Sequence, residues 1–336
     1  MAANPAQQAL QIATGYIASS ALYVALELNV PDHLAQGPRT AKELAKATGA
    51  NEDALYRILR LLASLELFEE VSPRRFGLTP ASDILRKDVP GSMRGIALFL
   101  PDPMHFRIYA DLIESATTGK PAVEKTVGMP LFDYFAKHPD WSEVFNDAMT
   151  SMSAPVAGAA IEAYDFGRFA TLVDVAGGHG QVLISVLNAN PGVRGILAEV
   201  GHVVEGARPK IAHAGLADRL QAVECDFFKA VPEGGDAYIM KHIIHDWDDE
   251  RASLILKNIG RAMGGKRGTV VLLECVIPTG SEPDLGKYFD IEMLALPGGR
   301  ERTAEEFATL FERSGFTLTK IVPMKSALSV VEAVRN

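Results

Sequence analysis

From residue 172 onward the chain alternates short apolar runs with amphipathic stretches of helical length, and this alternation restricts the fold more than any other property of the sequence. Leu172-Val-Asp-Val-Ala176 reads as a strand, followed by a glycine turn and a helix over Gln181 to Asn188. Gly195 to Glu199 is the next strand, then a helix over Val203 to Ala214, with further strands at Leu220 to Glu224 and Ala237 to Met240. A helix over Asp248 to Met263 leads into a strand over Thr269 to Cys275. A helix over Ala304 to Ser314 precedes two last strands, Thr317 to Val322 and Ala327 to Val334. Alternation of this kind specifies a parallel sheet with helices on both faces. The last two strands are joined by a short turn, whereas a parallel crossover needs about a dozen residues, so they run antiparallel. The expected class is α/β: a Rossmann-like doubly wound sheet with an antiparallel terminal strand pair.

The first hundred residues have a different texture. Ala9 to Leu28 carries apolar side chains at helical spacing and is expected to stop at Pro31. Two short helices flank Gly49, one over Thr40 to Thr48 and one opened by a capping Asn51 and running to Leu62. Leu67 to Leu78, turning at Ser72-Pro73, fits the small β-wing that follows such a pair. This mostly helical winged-helix region invites a DNA-binding reading, but its second helix places Glu52 and Asp53 at the end that would meet phosphates, beside Arg57 and Arg60. The formal net charge of −9 points the same way, so packing or dimerisation is the expected role and nucleic acid is not an expected partner. Residues 101 to about 165 read as linking helices rich in Phe and Met. The expected domains are 1–100, 101–165 and 166–336.

With 48% hydrophobic and 22% charged residues, the composition is that of a globular protein with a substantial core. The two cysteines, Cys225 and Cys275, are too few for a disulfide framework and have no metal-ligand spacing. No Lys or Arg precedes Arg39, and the apolar stretch Ala21 to Val30 is too short to span a bilayer. A cytoplasmic location is expected, with no membrane association.

The chemistry is carried by separated runs. In Asp174-Val-Ala-Gly-Gly-His-Gly180, glycines at a strand-to-helix turn let a ligand approach the backbone. Glu199 ends the second strand nineteen residues after Gly180, where doubly wound folds place a carboxylate for ribose hydroxyls. Together they point to a nucleoside, and leave open whether it is a dinucleotide or S-adenosylmethionine. The run departs from GxGxxG, which disfavours a nicotinamide dehydrogenase. Three later runs complete the set: Asp226-Phe-Phe228, Lys241-His-Ile-Ile-His-Asp-Trp-Asp-Asp-Glu250 and Leu294-Ala-Leu-Pro-Gly-Gly-Arg-Glu-Arg-Thr303.

With these runs in this order, nearly the whole chain resembles the small-molecule O-methyltransferase family typified by plant caffeate and bacterial phenazine and anthracycline enzymes. The resemblance implies S-adenosylmethionine as cofactor. Asp174 and Gly178 would line its methionine side, Glu199 its ribose, Asp226 and Phe227 its adenine, and Lys241 with Ser153 its carboxylate end. It implies His245 as general base, flanked by Glu274 and Glu301. It also implies a homodimer formed through the N-terminal region. The sequence departs from the family pattern where Glu199-Val-Gly201 replaces Asp-Leu-Pro, and where Cys225 replaces a glycine.

The implied chemistry suits the residues. A phenol, with a pKa of about 10, is a weak nucleophile at neutral pH. A histidine of reference pKa about 6.5 can take its proton, an effect worth about 10²–10⁴-fold. A carboxylate on the other ring nitrogen fixes the tautomer, the role expected of Glu301 or Glu274. Phe145, Met149, Met152 and Met293 are expected to form the wall for a flat aromatic hydroxyl substrate, with Asp246 a hydrogen-bond partner beside it. No metal is expected, although His242, His245, Asp246 and Asp248 cluster. His179 and His242 read as structural, and Arg300 and Arg302 as surface charges. The competing readings are a same-fold enzyme with non-methylating chemistry and a winged-helix ligand-responsive regulator.

Overall fold

The computed structural model describes residues 4–336, with the side chains of Glu143 and Thr150 outside that description. Two units are distinguished: residues up to Ala110 together with Phe135–Met152, and Asp111–Tyr134 together with Ser153–Asn336.

In the first unit, helix Ala41–Thr48 opens with a reciprocal cap between Thr40 and Glu43 and ends at Gly49, whose φ of 73° needs no Cβ to be avoided. Helix Glu52–Ser64 follows, with the Asn51 side chain accepting from the Ala54 N–H. Strands β1 (Arg39–Thr40), β2 (Phe68–Ser72) and β3 (Arg75–Leu78) form an antiparallel sheet in the order β1-β3-β2. Leu44, Leu55, Leu59, Leu62, Phe68 and Phe76 make the shared core. The single helix expected over Ala9 to Leu28 is instead two, Pro5–Ala13 and Gly15–Glu27, bent by 43°. The Thr14 hydroxyl donates to the Leu10 carbonyl at the break, where Gly15 also weakens helix continuity. Pro31 stops nothing. It lies in the first turn of helix Val30–Leu34, where proline costs no hydrogen bond, and the chain reverses at Asn29, which has a φ of 53°. Among the described residues no single helix is long and apolar enough to cross a membrane.

The second unit is built on seven strands: β4 (Thr171–Val175), β5 (Arg194–Glu199), β6 (Leu220–Glu224), β7 (Ala237–Lys241), β8 (Thr269–Glu274), β9 (Phe316–Pro323) and β10 (Ser329–Arg335). Their order is β6-β5-β4-β7-β8-β10-β9. From β6 through to β8 all neighbours pair in parallel, while β10 is antiparallel to both β8 and β9. The predicted reversal is therefore confined to β10, which inserts between β8 and β9. The chain winds outward from β4 to β6 and then returns to β7 on the other side of β4. That reversal opens a crevice at the carboxyl ends of β4 and β7, where doubly wound sheets bind ligands.

Strand alternation fills both faces of the sheet. Leu172 joins Leu183, Val186 and Leu187 on one side, whereas Val173 and Val175 join Tyr238, Ile255, Ile259, Phe307 and Phe311 on the other. Glu332 is the charged residue in the buried run of β10, and it is satisfied. It accepts from the Tyr164 hydroxyl at 2.5 Å and the Thr319 hydroxyl at 2.6 Å, and it pairs with Arg168. The linking region resolves into short helices and the long helix Pro139–Ala163, which contains Pro155. Helix Gly286–Ala295 was not anticipated, because its apolar residues follow no clear helical stripe.

Leu273, fully buried on β8 next to Glu274, anchors the strand that delivers that carboxylate. Leu273→Ala is expected to cost about 2–5 kcal/mol. Urea unfolding reads this directly, and a loss below about 1 kcal/mol contradicts the packing described.

Candidate active site

The turn after β4 is shaped by what its residues must avoid. Ala176 takes a left-handed φ of 57° where a glycine fingerprint would begin, and Gly178 and Gly180 have φ of 59° and 80°. A Cβ on Gly177 would lie 2.3 Å from Asp174 Oδ2, whereas one on Gly178 would meet nothing within 4 Å. The backbone at Gly178 therefore borders open space. Asp174, only 1% exposed, has no hydrogen-bond partner on either oxygen among the described residues. Burial, reinforced by the Glu199 charge and opposed by Lys241, pushes its carboxyl up to about 7. A buried acid left in this condition is unfavourable until a cationic donor arrives.

Around this turn, Lys241 at the end of β7 donates to the Ser153 hydroxyl at 3.0 Å. Burial holds its ammonium below the usual lysine range, against the pull of Glu274, Asp174 and Asp246. Glu199 accepts from the Gly178 N–H at 3.1 Å and from the Val200 N–H at 2.7 Å, so its longer side chain folds back onto the glycine turn. Burial raises its carboxyl and these two N–H groups oppose the rise. Asp226 is exposed, accepts from the Phe228 N–H at 3.1 Å and pairs with Lys229 at 2.9 Å. Phe227 is half-buried beside Phe228 and Trp247.

The second half of the site follows β7. His242 has a left-handed φ of 54°, which turns the chain into the 3-10 segment Ile244–Asp246. His245 is 8% exposed. Its Nδ1 lies 2.7 Å from Glu301 Oε1 and 3.7 Å from Glu274 Oε2, and its Nε2 lies 3.4 Å from Asp246 Oδ1. Glu274 is positioned by accepting the N–H groups of Ile243 and Ile244 at 3.1 and 2.9 Å. The backbone N–H of Glu301 donates to Asp290 on helix Gly286–Ala295 at 2.9 Å. Burial alone would lower the imidazole, but Glu274, Glu301 and Asp246 overcome it and push His245 up to about 10. The same burial raises Asp246 to about 6 and raises Glu274 despite the neighbouring imidazole.

His242 stacks on His245 with ring centroids 4.6 Å apart and planes 13° apart. Burial, then the charges of His245 and Lys241, hold it well below the ordinary histidine range. Ligand atoms of His242, His245 and Glu274 lie within 4.8 Å of one another. The two rings are nearly parallel, however, so their in-plane lone pairs run side by side, and one tetrahedral ion needs them to converge.

The segment after helix Gly286–Ala295 grips this turn from behind. A Cβ on Gly299 would fall 1.9 Å from the His245 carbonyl oxygen, so only glycine fits there. The Arg300 N–H donates to that same carbonyl at 2.8 Å. Arg300 is exposed, but Arg302 is not the surface charge its composition suggested: it is fully buried. Its guanidinium donates to the carbonyls of Ile244 (3.1 Å), Trp247 (3.0 Å) and Arg300 (3.3 Å), and to Asp249 Oδ1 at 2.8 and 3.1 Å. The one signal of it in the sequence is its place beside Glu301 in the Gly-Gly-Arg-Glu-Arg-Thr run. Asp290, also missed, lies in the helix that was not anticipated.

The structure thus brings Asp174, Gly178, Glu199, Lys241 and Ser153 around one turn, and His245, Glu274, Glu301 and Asp246 into one cluster. Met293 is half-buried on helix Gly286–Ala295. Phe145, Met149 and Met152 lie in the first unit, packed on Ile96, Phe99 and Ala148.

Comparison with known proteins bears on this arrangement. The family described as the O-methyltransferase domain matches residues 109–317, and the O-methyltransferase dimerisation domain matches residues 10–88. The phenazine O-methyltransferase PhzM of Lysobacter antibioticus is 44% identical, over 96% of this chain and 94% of that protein. The 8-amino-8-demethylriboflavin N,N-dimethyltransferase of Streptomyces davaonensis is 37% identical, over 93% and 90% respectively. A crystal structure of LaPhzM superposes with a TM-score of 0.91 at 42% identity, covering 99% of this chain and 100% of that one. The chain belongs to the O-methyltransferase family, and is an S-adenosylmethionine-dependent enzyme of the small-molecule type.

Proposed function

We propose that the enzyme methylates a hydroxyl of a small aromatic molecule, with His245 receiving the proton that the hydroxyl gives up. One observation carries this reading: a buried imidazole held 2.7 Å from Glu301, with Glu274 and Asp246 beside it. S-adenosylmethionine, when bound, supplies a methyl group electrophilic enough for a hydroxyl oxygen to attack. The unpartnered carboxylate of Asp174 and the open side of Gly178 suit the cationic end of that molecule. Glu199 retains acceptor capacity for ribose hydroxyls, Phe227 and Asp226 would meet the adenine, and Lys241 with Ser153 the carboxylate.

The Glu301 contact makes Nδ1 the protonated nitrogen and leaves Nε2 as the acceptor. With His245 pushed up to about 10, the receiving group matches a phenol, whose own pKa is about 10, so the transfer is close to thermoneutral. The cost is occupancy, since below that value most of the imidazole already carries its proton. Asp246, 3.4 Å from Nε2, is placed to orient a donor group of the acceptor molecule. An amine acceptor is a second reading, favoured by the relative that is an N,N-dimethyltransferase. A panel of matched phenols and anilines with labelled methyl donor separates the two.

We also read the helix pair and hairpin of the first unit as a winged helix used for pairing two copies. Leu10, Ile12 and Tyr16 are 63%, 78% and 61% exposed there, large apolar side chains that a second copy would cover. The two buried, unpaired cysteines accord with a reducing cytoplasm.

His245→Ala should lower kcat about 10²–10⁴-fold, to a measurable residual rate, while S-adenosylhomocysteine binding, measured by calorimetry, changes little. An equal fall in both contradicts the assignment. Because the acceptor form of His245 grows as pH rises toward 10, kcat should climb nearly tenfold per unit from pH 7 to 9. Glu301→Gln removes a negative charge that favours the imidazolium, so its pH limb should move down, and an unmoved limb argues against the pair. Asp174→Asn should weaken S-adenosylhomocysteine binding about tenfold or more, by removing a charge-assisted partner. For the pairing, Ile12→Asp with Tyr16→Asp should convert a dimer to a monomer in sedimentation velocity, and an unchanged dimer places the interface elsewhere.

A further inference from the structure

We infer that Arg302 is a positioning residue for the methyl-transfer reaction, acting by clamping the turn that presents His245. The inference rests on the reading of His245 as proton acceptor. The 3-10 turn Ile244–Asp246 is short, and the carbonyl of its first residue, Ile244, and that of Trp247 just beyond it have the same guanidinium as their partner, at 3.1 and 3.0 Å. That guanidinium is in turn fixed by Asp249 Oδ1, the first residue of helix Asp249–Ala262, at 2.8 and 3.1 Å. One planar fork therefore ties together the entry to the turn, its exit and the start of the next helix. A lysine, a point charge with a flexible stem, cannot span the three.

The backbone at position 302 is held independently of its side chain. Arg302 bridges Val276, and its carbonyl accepts from the Ile277 N–H at 3.1 Å. Shortening the side chain thus frees the turn and not the segment that carries Glu301. His245 is clasped by two groups of that segment, with the Arg300 N–H on its carbonyl at 2.8 Å and Glu301 on its ring at 2.7 Å. Without the clamp the turn can shift against Glu301, and a displacement of about 1 Å at the reacting groups is enough to cost about a hundredfold in rate. The methyl-donor turn at Asp174 to Gly180 makes no hydrogen bond to Arg302 and keeps its geometry.

The test uses full-length Arg302→Lys, Arg302→Ala and, in case both fold poorly, Asp249→Asn, which loosens the guanidinium without opening a cavity. Arg302→Lys should lower kcat about a hundredfold while S-adenosylhomocysteine affinity stays within about threefold and the pH limb broadens or moves. Asp249→Asn should lower kcat several-fold in the same pattern. Guanidinium chloride at tens of millimolar should restore part of the kcat of Arg302→Ala, and methylammonium should not. In a His245→Gln background, Arg302→Lys should cause no further loss. A wild-type rate in Arg302→Lys or in Asp249→Asn overturns the clamp, as does an undiminished loss in the His245→Gln background. A full rate in His245→Gln alone sinks the base assignment whatever Arg302 does, so the two failures are distinguishable.

Discussion

The contact between His245 Nδ1 and Glu301, 2.7 Å long and between two buried side chains, is the interaction around which the rest of the catalytic unit is arranged. A charge-assisted hydrogen bond in such surroundings is strong only if its other atoms are cared for, because each unsatisfied charge is expensive in a low dielectric. The fold provides part of that care, and leaves Glu274 Oε2 and Glu301 Oε2 buried without a hydrogen bond among the described residues. Two backbone N–H groups take one oxygen of Glu274, Asp290 holds the main chain of Glu301, Asp246 borders the far nitrogen, and His242 covers the ring face. Three acids share one imidazole and draw the ring toward its protonated form, while burial first, and the neighbouring acids after it, push Glu274 and Asp246 toward theirs.

The two halves of the site are prepared to different degrees. Around His245 the protein supplies partners for one oxygen of Glu274 and one of Glu301. Around Asp174 it withholds them, leaving a buried acid opposite a glycine turn whose shape is already set by Glu199. A preformed loop loses less conformational freedom when a ligand settles on it. The arrangement spends structural rigidity where a proton must be handled and leaves an electrostatic deficit where a cation must be attracted.

The sequence made much of this legible, for definable reasons. Strand positions from β4 to β10 follow from local apolar runs, and Asp174, Glu199, Lys241 and Glu274 sit at or next to the strand ends where such runs stop. The cluster around His245 was legible only through motif resemblance, since nothing local in residues 241–250 reveals that Glu274 and Glu301 converge on one ring. Arg302 was misread because burial of a guanidinium depends on carbonyls from a segment more than fifty residues away, and no period in the chain encodes that. The insertion of β10 beside β8 escaped for a similar reason. Antiparallel pairing with β9 follows from a short turn, but the choice of second neighbour is a property of the whole sheet. The helix break at Thr14 and the role of Pro31 were local facts misjudged, with proline taken as a terminator when its position favours initiation.

That insertion has a bearing on how the protein is made. Ribosomes deliver β8 long before β10, so the main-chain amides and carbonyls along one border of β8 wait, unmated, while the intervening 54 residues emerge. The strand bearing Glu274 thus passes part of synthesis as an open seam, the kind of border on which chains stick to one another. Closure of the seam by the hairpin of β9 and β10 gives β8 its second neighbour, so the strand that delivers Glu274 is paired along both borders only once that hairpin has formed.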